Sequence, residues 1–209
     1  MGEWKSVEHA LEYLSRADSI PHRTEGEAAL IEQLPESVRR VLDLGTGDGR
    51  LLGLVKLFRP EATGVALDFS PTMLDKARGR FAGDGLVRVV EHDLNDSLPD
   101  LGTFDAVISC FAIHHCEDGR KRELYGEVFN ALEPGGVFCN LEHVSSPTQR
   151  LHERFRDALG VAAPEEEDPS NRLLDVETQL RWLREIGFSD VDCHWKWLEL
   201  ALLGGVKPG

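Results

Sequence analysis

The chain has no apolar run approaching the ~18 residues of a membrane-spanning helix, so no membrane span is expected. Cysteine is scarce: four in 209 residues, none in a Cys-x-x-Cys pair. Cys110, Cys116, Cys139 and Cys193 are expected as buried free thiols, not as a disulfide framework. Positive charge is also short, with 23 Lys and Arg against 37 Asp and Glu, a formal net charge of -14. A polyanion such as RNA or DNA would be repelled on average. The basic cluster Arg120-Lys121-Arg122 sits among Glu117, Asp118 and Glu123 and reads as a solvated helix start. The opening Met-Gly-Glu-Trp-Lys-Ser mixes apolar and charged residues, unlike a secretory signal, so a cytoplasmic location is expected. Apolar content of 41% is ordinary, and the length suits one domain with a sizeable core.

What is present is concentrated in Arg40-Val-Leu-Asp-Leu-Gly-Thr-Gly-Asp-Gly-Arg50. Val41 to Leu44 reads as a buried parallel strand with Asp43 inside it. Gly45, Gly47 and Gly49 then alternate, and an apolar run from Leu51 to Phe58 suits a helix. Strand, glycine turn and helix hold a nucleotide-like ligand at the carboxyl end of a sheet. A dinucleotide fingerprint needs a third glycine where this chain has Arg50, which makes a nicotinamide-dependent dehydrogenase the weakest choice. Asp43 and Asp48 crowd the turn with negative charge and suit a ligand that bears a cation.

On the Asp43 to Gly49 motif the sequence resembles the class I (Rossmann-like) S-adenosylmethionine-dependent methyltransferases. The resemblance covers most of the chain and is strongest from Arg40 to Glu142. It implies an α/β, doubly wound, mostly parallel seven-stranded sheet whose last strand is antiparallel, behind an N-terminal helical cap. Within one methyltransferase domain over 1–209, the expected parts are a cap (1–38), a cofactor-binding core (39–142), an insert or lid (143–174) and a C-terminal helix and hairpin (175–209).

The resemblance also implies roles. Asp43, Gly45, Thr46 and Gly47 form the cofactor turn. Ala62 to Asp68 is a second strand, and Asp68 lies about 20 residues past the glycines, where a carboxylate takes both ribose hydroxyls. Ser70 is the expected cap of the next helix, with Pro71 at its first position, which would free Asp68. Phe69 and Met73 would border the adenine. Asp93, after the strand Leu86 to Glu91, would accept the adenine amino group, and Leu94 would donate from its backbone. A turn aspartate is the alternative for Asp93, since Asn95 and Asp96 follow. Only about a dozen residues precede the next strand, Phe104 to Ser109, so any crossover helix there is short or absent. Cys110 and Phe111 open the segment facing the transferred methyl group.

No Asn/Asp-Pro-Pro-Tyr sequence stands in that segment, which argues against methylation of base or glutamine amino groups. His114 and His115 are adjacent, so at most one faces the site; His115 and His143 are the candidate bases, needed only for a protonated acceptor. Arg23 would bind the cofactor carboxylate or be a plain surface arginine.

Further expectations follow from periodicity: helices over residues 4–17, Glu25 to Leu34, Gly119 to Leu132, Pro147 to Leu159 and Thr178 to Ile186. Thr24 is a candidate cap, with Glu27 at the capping-box position. Glu133-Pro-Gly-Gly136 is read as stopping a helix before the strand Val137 to Glu142. Residues 162–171 read as a mobile acidic loop. Asp190 to Trp197 and Leu200 to Val206 read as a hairpin, with Trp195 and Trp197 on one core-facing side.

The function expected is methyl transfer from S-adenosylmethionine to a small-molecule acceptor, with no catalytic metal, no membrane partner and nucleic acid disfavoured. Two alternatives stand beside it. One is an enzyme like carboxy-S-adenosylmethionine synthase, which acts in tRNA wobble-uridine modification and which Ser19-Ile-Pro-His22 resembles. The other is a non-catalytic adenosylmethionine-binding protein.

Overall fold

The computed structural model describes residues 20–160 and 168–209. The helix expected over 4–17 and most of the acidic loop lie outside these residues. Seven strands form one sheet in the order β3-β2-β1-β4-β5-β7-β6. They are β1 (Arg40–Leu44), β2 (Thr63–Asp68), β3 (Val87–Glu91), β4 (Phe104–Cys110), β5 (Leu132–His143), β6 (Ser189–Trp197) and β7 (Leu200–Val206). The first five pair in parallel, and β7 runs antiparallel between β5 and β6. The order reverses at β1 and β4, which opens a crevice at their carboxyl ends.

Among the described residues the α-helices are α1 (Arg23–Gln33), α2 (Arg50–Phe58), α3 (Pro71–Arg80), α4 (Asp118–Ala131), α5 (Gln149–Leu159) and α6 (Val176–Ile186). Alternation along the strands divides the core. Val41, Ala66, Ile108, Cys139 and Leu141 face Leu30 of α1, Leu52 and Val55 of α2, and Phe155 of α5. Leu42, Leu44, Leu67, Val107 and Phe138 face Leu124, Tyr125 and Val128 of α4 and Leu183 of α6. Each buried aliphatic side chain contributes about 1.5–3 kcal/mol, so both faces of β1 and β4 are heavily stabilised. The crossover between β3 and β4 carries no helix.

Several local readings need correction. Helix α1 begins at Arg23 behind His22, which takes a left-handed φ of 61° and makes no side-chain cap bond. Thr24 is therefore inside the helix, and Glu27 is buried instead of closing a capping box. Ser70 does occupy the cap position of α3, yet its side chain caps nothing. Glu133-Pro-Gly-Gly136 belongs to β5, because Leu132 already pairs with Phe104 and the strand resumes through an irregularity at Val137 opposite Ala106. Helix α6 starts earlier than Thr178, since the Asp175 carboxylate accepts from the Thr178 N–H at 2.8 Å. Gly187 ends it in the left-handed region, as its position suggested.

The basic triplet is only in part a solvated face: Arg122 is exposed, whereas Arg120 and Lys121 are not. Lys121 is 1% exposed. Its Nζ donates to Asp118 Oδ1 at 2.8 Å and to the Arg172 carbonyl. Arg120 is held by Glu127 at 2.7 Å, and Arg122 by Glu185 at 2.9 Å. Trp195 and Trp197 pack against the α1 side of the core; Trp197 stacks on His22 with ring centroids 4.5 Å apart. All four cysteines are free, and Cys193 is only partly buried.

Candidate functional site

The β1 strand carries Asp43 to its carboxyl end and buries it to 1% exposure. The chain then turns through Gly45, Gly47 and Gly49, all at positive φ. Thr46 Oγ1 donates to Asp43 Oδ2 at 2.5 Å, while Asp43 Oδ1 is buried without a hydrogen-bond partner among the described residues. Burial is the main force on this carboxyl and raises it to about 7, against a smaller lowering by the Thr46 bond.

Asp68 ends β2 beside this turn. Its Oδ2 accepts the Gly47 N–H at 2.9 Å and its Oδ1 the Ser70 N–H at 2.8 Å. The acid is thus not free, as the cap assignment to Ser70 implied; each oxygen already holds one backbone donor. A carboxylate oxygen has two lone pairs, so both retain capacity for a diol. Burial raises the Asp68 carboxyl, and the backbone bonds oppose that. Asp93 accepts from the Asn95 N–H at 3.0 Å and the Asn95 side-chain amide at 2.8 Å, the geometry of a turn aspartate.

Beyond β4 the chain turns sharply. Phe111 takes φ 52° and donates its N–H to the Leu141 carbonyl at 2.8 Å. The histidines then separate. His114 is buried and its Nδ1 meets Glu142 Oε1 at 2.6 Å, away from the crevice. Burial drives His114 well below the ordinary imidazole value, which favours its neutral form, and drives Glu142 up to about 7. His115 Nδ1 meets Ser170 Oγ at 2.9 Å. Cys110 is pushed up to about 12 by burial, so it is a neutral thiol with no nucleophilic character.

These elements enclose one cavity of about 510 Å³. Arg23, Asp43, Gly45, Thr46, Gly47, Asp68, Phe69, Met73, Asp93, Leu94, Cys110 and Phe111 all line it, as does His115. His143 does not. Its Nε2 meets Glu199 Oε2 at 3.1 Å, and Glu199 also takes His152 Nδ1 at 2.9 Å. The β5 register carries His143 past the crevice to the β7 side, where it packs on Phe155. Sequence reasoning gave no cavity role to Lys76, Arg80 and His92, which also line it. The spacing of Lys76 and Arg80 from Met73 along α3 was the available signal.

Arg23 is neither a plain surface residue nor isolated. Its Nε donates to Glu27 Oε1 at 2.8 Å, and its guanidinium lies 5.6 Å from the Phe111 ring centroid. Arg50 Nε reaches the same Glu27 Oε1 at 2.8 Å and Arg50 Nη2 reaches Oε2 at 2.9 Å. The residue that departs from the dinucleotide pattern thus ties α2 to α1.

An adenosyl ligand with a cation fits this cavity. Two buried polar atoms in its lining residues, Asp43 Oδ1 and His92 Nε2, have no partner among the described residues. Asp43 and Asp68 are acids close together in the lining, which also includes Arg23, Arg50 and Arg80. A cation beside Asp43 would favour its ionised form, so binding S-adenosylmethionine should expel part of a proton near pH 7. Affinity should rise up to about tenfold between about pH 6 and pH 8. Calorimetry in buffers of different ionisation enthalpy checks this; heats independent of buffer would refute it. Melting temperature is a poorer reporter. The raised Asp43 and Glu142 remove stability as pH climbs towards 7, whereas the depressed His114 and His115 add it as pH climbs through the range below 6.5.

Comparison with known proteins agrees with this geometry. Residues 41–136 match the family model described as a methyltransferase domain. A demethylmenaquinone methyltransferase of Clavibacter sepedonicus is 30% identical over 83% of this chain and 76% of its own length. A carboxy-S-adenosyl-L-methionine synthase of Klebsiella pneumoniae is 25% identical over 100% of this chain and 93% of its own. Among solved structures, an O-methyltransferase family protein from Burkholderia thailandensis superposes with a TM-score of 0.77 at 22% identity, a likeness of fold. It matches 99% of this chain, which spans only 62% of that longer one. Taken with the sheet order and the acidic turn, the first relative decides the matter: the chain belongs to the class I S-adenosylmethionine-dependent methyltransferases.

Proposed function

We propose that the protein transfers a methyl group from S-adenosylmethionine to a small-molecule acceptor. The observation that carries the cofactor half of this reading is the cavity of about 510 Å³, whose lining joins Asp43, the glycine turn, Asp68 and Asp93; the formal net charge of -14 supports a small acceptor over a polyanion. Arg120, Lys121 and Arg122 are each paired with an acid of the same chain, which leaves no run of unneutralised basic charge there for a polyanion. The relative named for demethylmenaquinone makes a quinone-derived ring the first acceptor class to assay.

In this reading Asp68 takes the ribose hydroxyls, Asp93 and Leu94 the adenine edge, and Phe69 and Met73 its faces. Arg23, already oriented by Glu27, takes the carboxylate. Asp43 and the Gly45 turn hold the cationic end. When bound, the cofactor supplies a methyl group activated by a sulfonium leaving group. The chain's own work is to align the acceptor, exclude water and receive a proton. His115 is the residue placed to receive it, and His143 is set aside because it lies off the cavity.

Asp68→Ala should weaken cofactor binding by about 1–3 kcal/mol, a five- to 150-fold rise in Kd, because charge-assisted bonds are lost. Titration calorimetry with S-adenosylmethionine and its demethylated product is the measurement. No heat from either ligand on the wild type would sink the cofactor placement.

A second reading, carboxy-S-adenosylmethionine synthesis, has the relative aligned along nearly its whole length in its favour. That chemistry needs arginines for an added carboxylate. Arg23 and Arg50 are both at the cavity but share Glu27, which keeps methyl transfer ahead. The mass of the recovered cofactor after turnover distinguishes the two.

A further inference from the structure

Residues 168–174 return from the insert and lie along the turn that carries His114 and His115. The Arg172 N–H donates to the His114 carbonyl at 2.9 Å, and the Ser145 N–H to the Leu174 carbonyl at 3.1 Å. Gln179 Nε2 of α6 donates to the same Leu174 carbonyl at 3.0 Å. Within the described end of the acidic loop, the Asn171 N–H turns back to the Asp168 carbonyl at 3.2 Å, and Ser170 Oγ meets His115 Nδ1 at 2.9 Å. This part of the loop is therefore anchored, contrary to the mobile loop expected. The segment is a strap tied to the turn, to the β5–α5 connection and to α6.

We propose that Lys121 is a positioning residue: it latches this strap and so fixes the wall that His115 and Cys116 give to the cavity. Placing that wall at the methyl-acceptor end rests on the methyl-transfer reading above; the latch itself does not. Lys121 stands near the start of α4 and is 1% exposed. Burying an ammonium group is costly unless acceptors replace its water. Its Nζ donates to Asp118 Oδ1 at 2.8 Å, but the Asp118 side chain is itself more than half exposed. The Arg172 carbonyl takes a second N–H. This acceptor is backbone, 51 positions away in sequence, so it meets Lys121 only while the strap lies in place.

Arg172 is thus held at both of its backbone groups, the N–H by the turn and the C=O by α4. Its side chain adds little, because its ion pair with Glu117 at 3.1 Å is exposed on both sides. Releasing the strap would leave Lys121 buried with only the Asp118 bond, and would strip the Arg172 donor from the His114 carbonyl. Both penalties fall on opening. A methionine in place of Lys121 would fill the same space without a desolvation cost. It would not select one position of a backbone carbonyl, and direction is what a buried charged donor adds.

The turn is where that selection matters. Ile113–His115 is a single tight turn, closed by the His115 N–H on the Ala112 carbonyl at 3.3 Å and the Cys116 N–H on the Ile113 carbonyl at 3.0 Å. A turn this short has poor hydrogen-bond geometry and little stability of its own. His115 and Cys116 line the cavity, and His114 sits behind them with its Nδ1 on Glu142 at 2.6 Å. The strap's bond to the His114 carbonyl therefore ties the cavity wall, through Arg172, to Lys121 and α4. The end of the insert and the acceptor end of the cavity are held as one piece.

The test follows amide exchange by NMR in wild type, in Lys121→Met, which keeps the length but not the donors, and in Lys121→Arg, which keeps a charged donor. In wild type the Arg172 N–H should exchange at least about tenfold more slowly than in an open chain. In Lys121→Met the Arg172, His115 and Cys116 amides should exchange about tenfold faster or more, beyond any uniform change in β1 and β4. The His115 ring signals should shift in the same variant, and Lys121→Arg should recover both readouts in large part. The Kd for the demethylated product of S-adenosylmethionine should stay within about twofold in Lys121→Met, because the latch touches none of the residues given to the cofactor. Strap and turn amides that change only in step with β1 and β4 overturn the proposal, as does an unmoved His115 ring or an Arg172 amide that exchanges in wild type as in an open chain. A Kd raised beyond that range would place Lys121 with the cofactor and overturn the acceptor-end assignment. Where Lys121→Met fails to fold, wild type decides: the buried Lys121 ammonium should give a persistent proton–nitrogen signal, and exchange as fast as that of a solvated lysine refutes the latch. Failure of the product to bind wild type would sink the cofactor reading and leave the exchange results standing, so the two failures are separable.

Discussion

Gly45→Ala should unfold or displace the cofactor turn, with a stability loss of roughly 2–5 kcal/mol. Two costs combine. Gly45 has φ +66°, a region that an L side chain enters at about 1–2 kcal/mol. A Cβ there would also lie 2.2 Å from the Ala112 Cβ, well inside contact distance. Ala112 cannot yield easily, because it follows Phe111, itself held at φ 52° by its bond to Leu141. The β1–α2 turn and the β4–α4 turn are pressed together at this point, and the crevice depends on that approach. Gly83→Ala is the control. It has φ +87° and nothing within 4 Å of an added Cβ, so it carries the strain without the clash. Urea unfolding of both variants isolates the clash, and equal losses would remove the argument. Cofactor affinity should fall with Gly45→Ala and hold with Gly83→Ala, whose site is remote from the cavity lining.

The parts of this molecule that sequence made legible are those coded locally. Strand β1, its glycine turn, the acid that ends β2 and the apolar stripes of α2 and α4 are each specified within about ten consecutive residues by period and turn chemistry. The alternation of strand and helix indicated an α/β sheet, and its strand count and antiparallel last strand came from the family resemblance. What escaped was coded between distant segments. Lys121 looked like part of a solvated charge run because nothing nearby in sequence announces the Arg172 carbonyl it meets. Ser170 looked like loop composition, since its partner His115 is 55 positions away. His143 was placed at the sheet edge by its strand, and only the pairing of β5 with β7 showed which side of the crevice it reaches. The glycines of β5 read as a stop because a helix normally ends on such residues. Here the strand pairs on both sides of an irregularity and continues.

Glu27→Ala should be the other strongly damaging change, although sequence placed Glu27 only at a capping-box position. Its side chain is only 2% exposed and holds Arg23, itself 9% exposed, together with Arg50 at 31%. Removing one partner of a buried ion pair leaves an uncompensated charge and typically costs about 3–5 kcal/mol. Arg50 can turn partly to water, which reduces the figure to about 2–4 kcal/mol here. Arg23 is far less exposed and faces the cavity, while α1 lies close against the sheet: a Cβ on Gly26 would already touch Leu141 at 2.9 Å and Trp195 at 3.0 Å. The loss should therefore appear as loosening of α1 from α2. Amide exchange across Arg23–Gln33 should accelerate, while exchange in β1 and β4 should change only as far as global stability falls. Glu27→Gln keeps the shape and one acceptor oxygen but loses the charge, and should fall between wild type and Glu27→Ala. An alanine variant with wild-type unfolding and unchanged α1 exchange would mean that the two arginines are held by other contacts. Glu27 would then not be the link between the N-terminal helix and the cofactor turn.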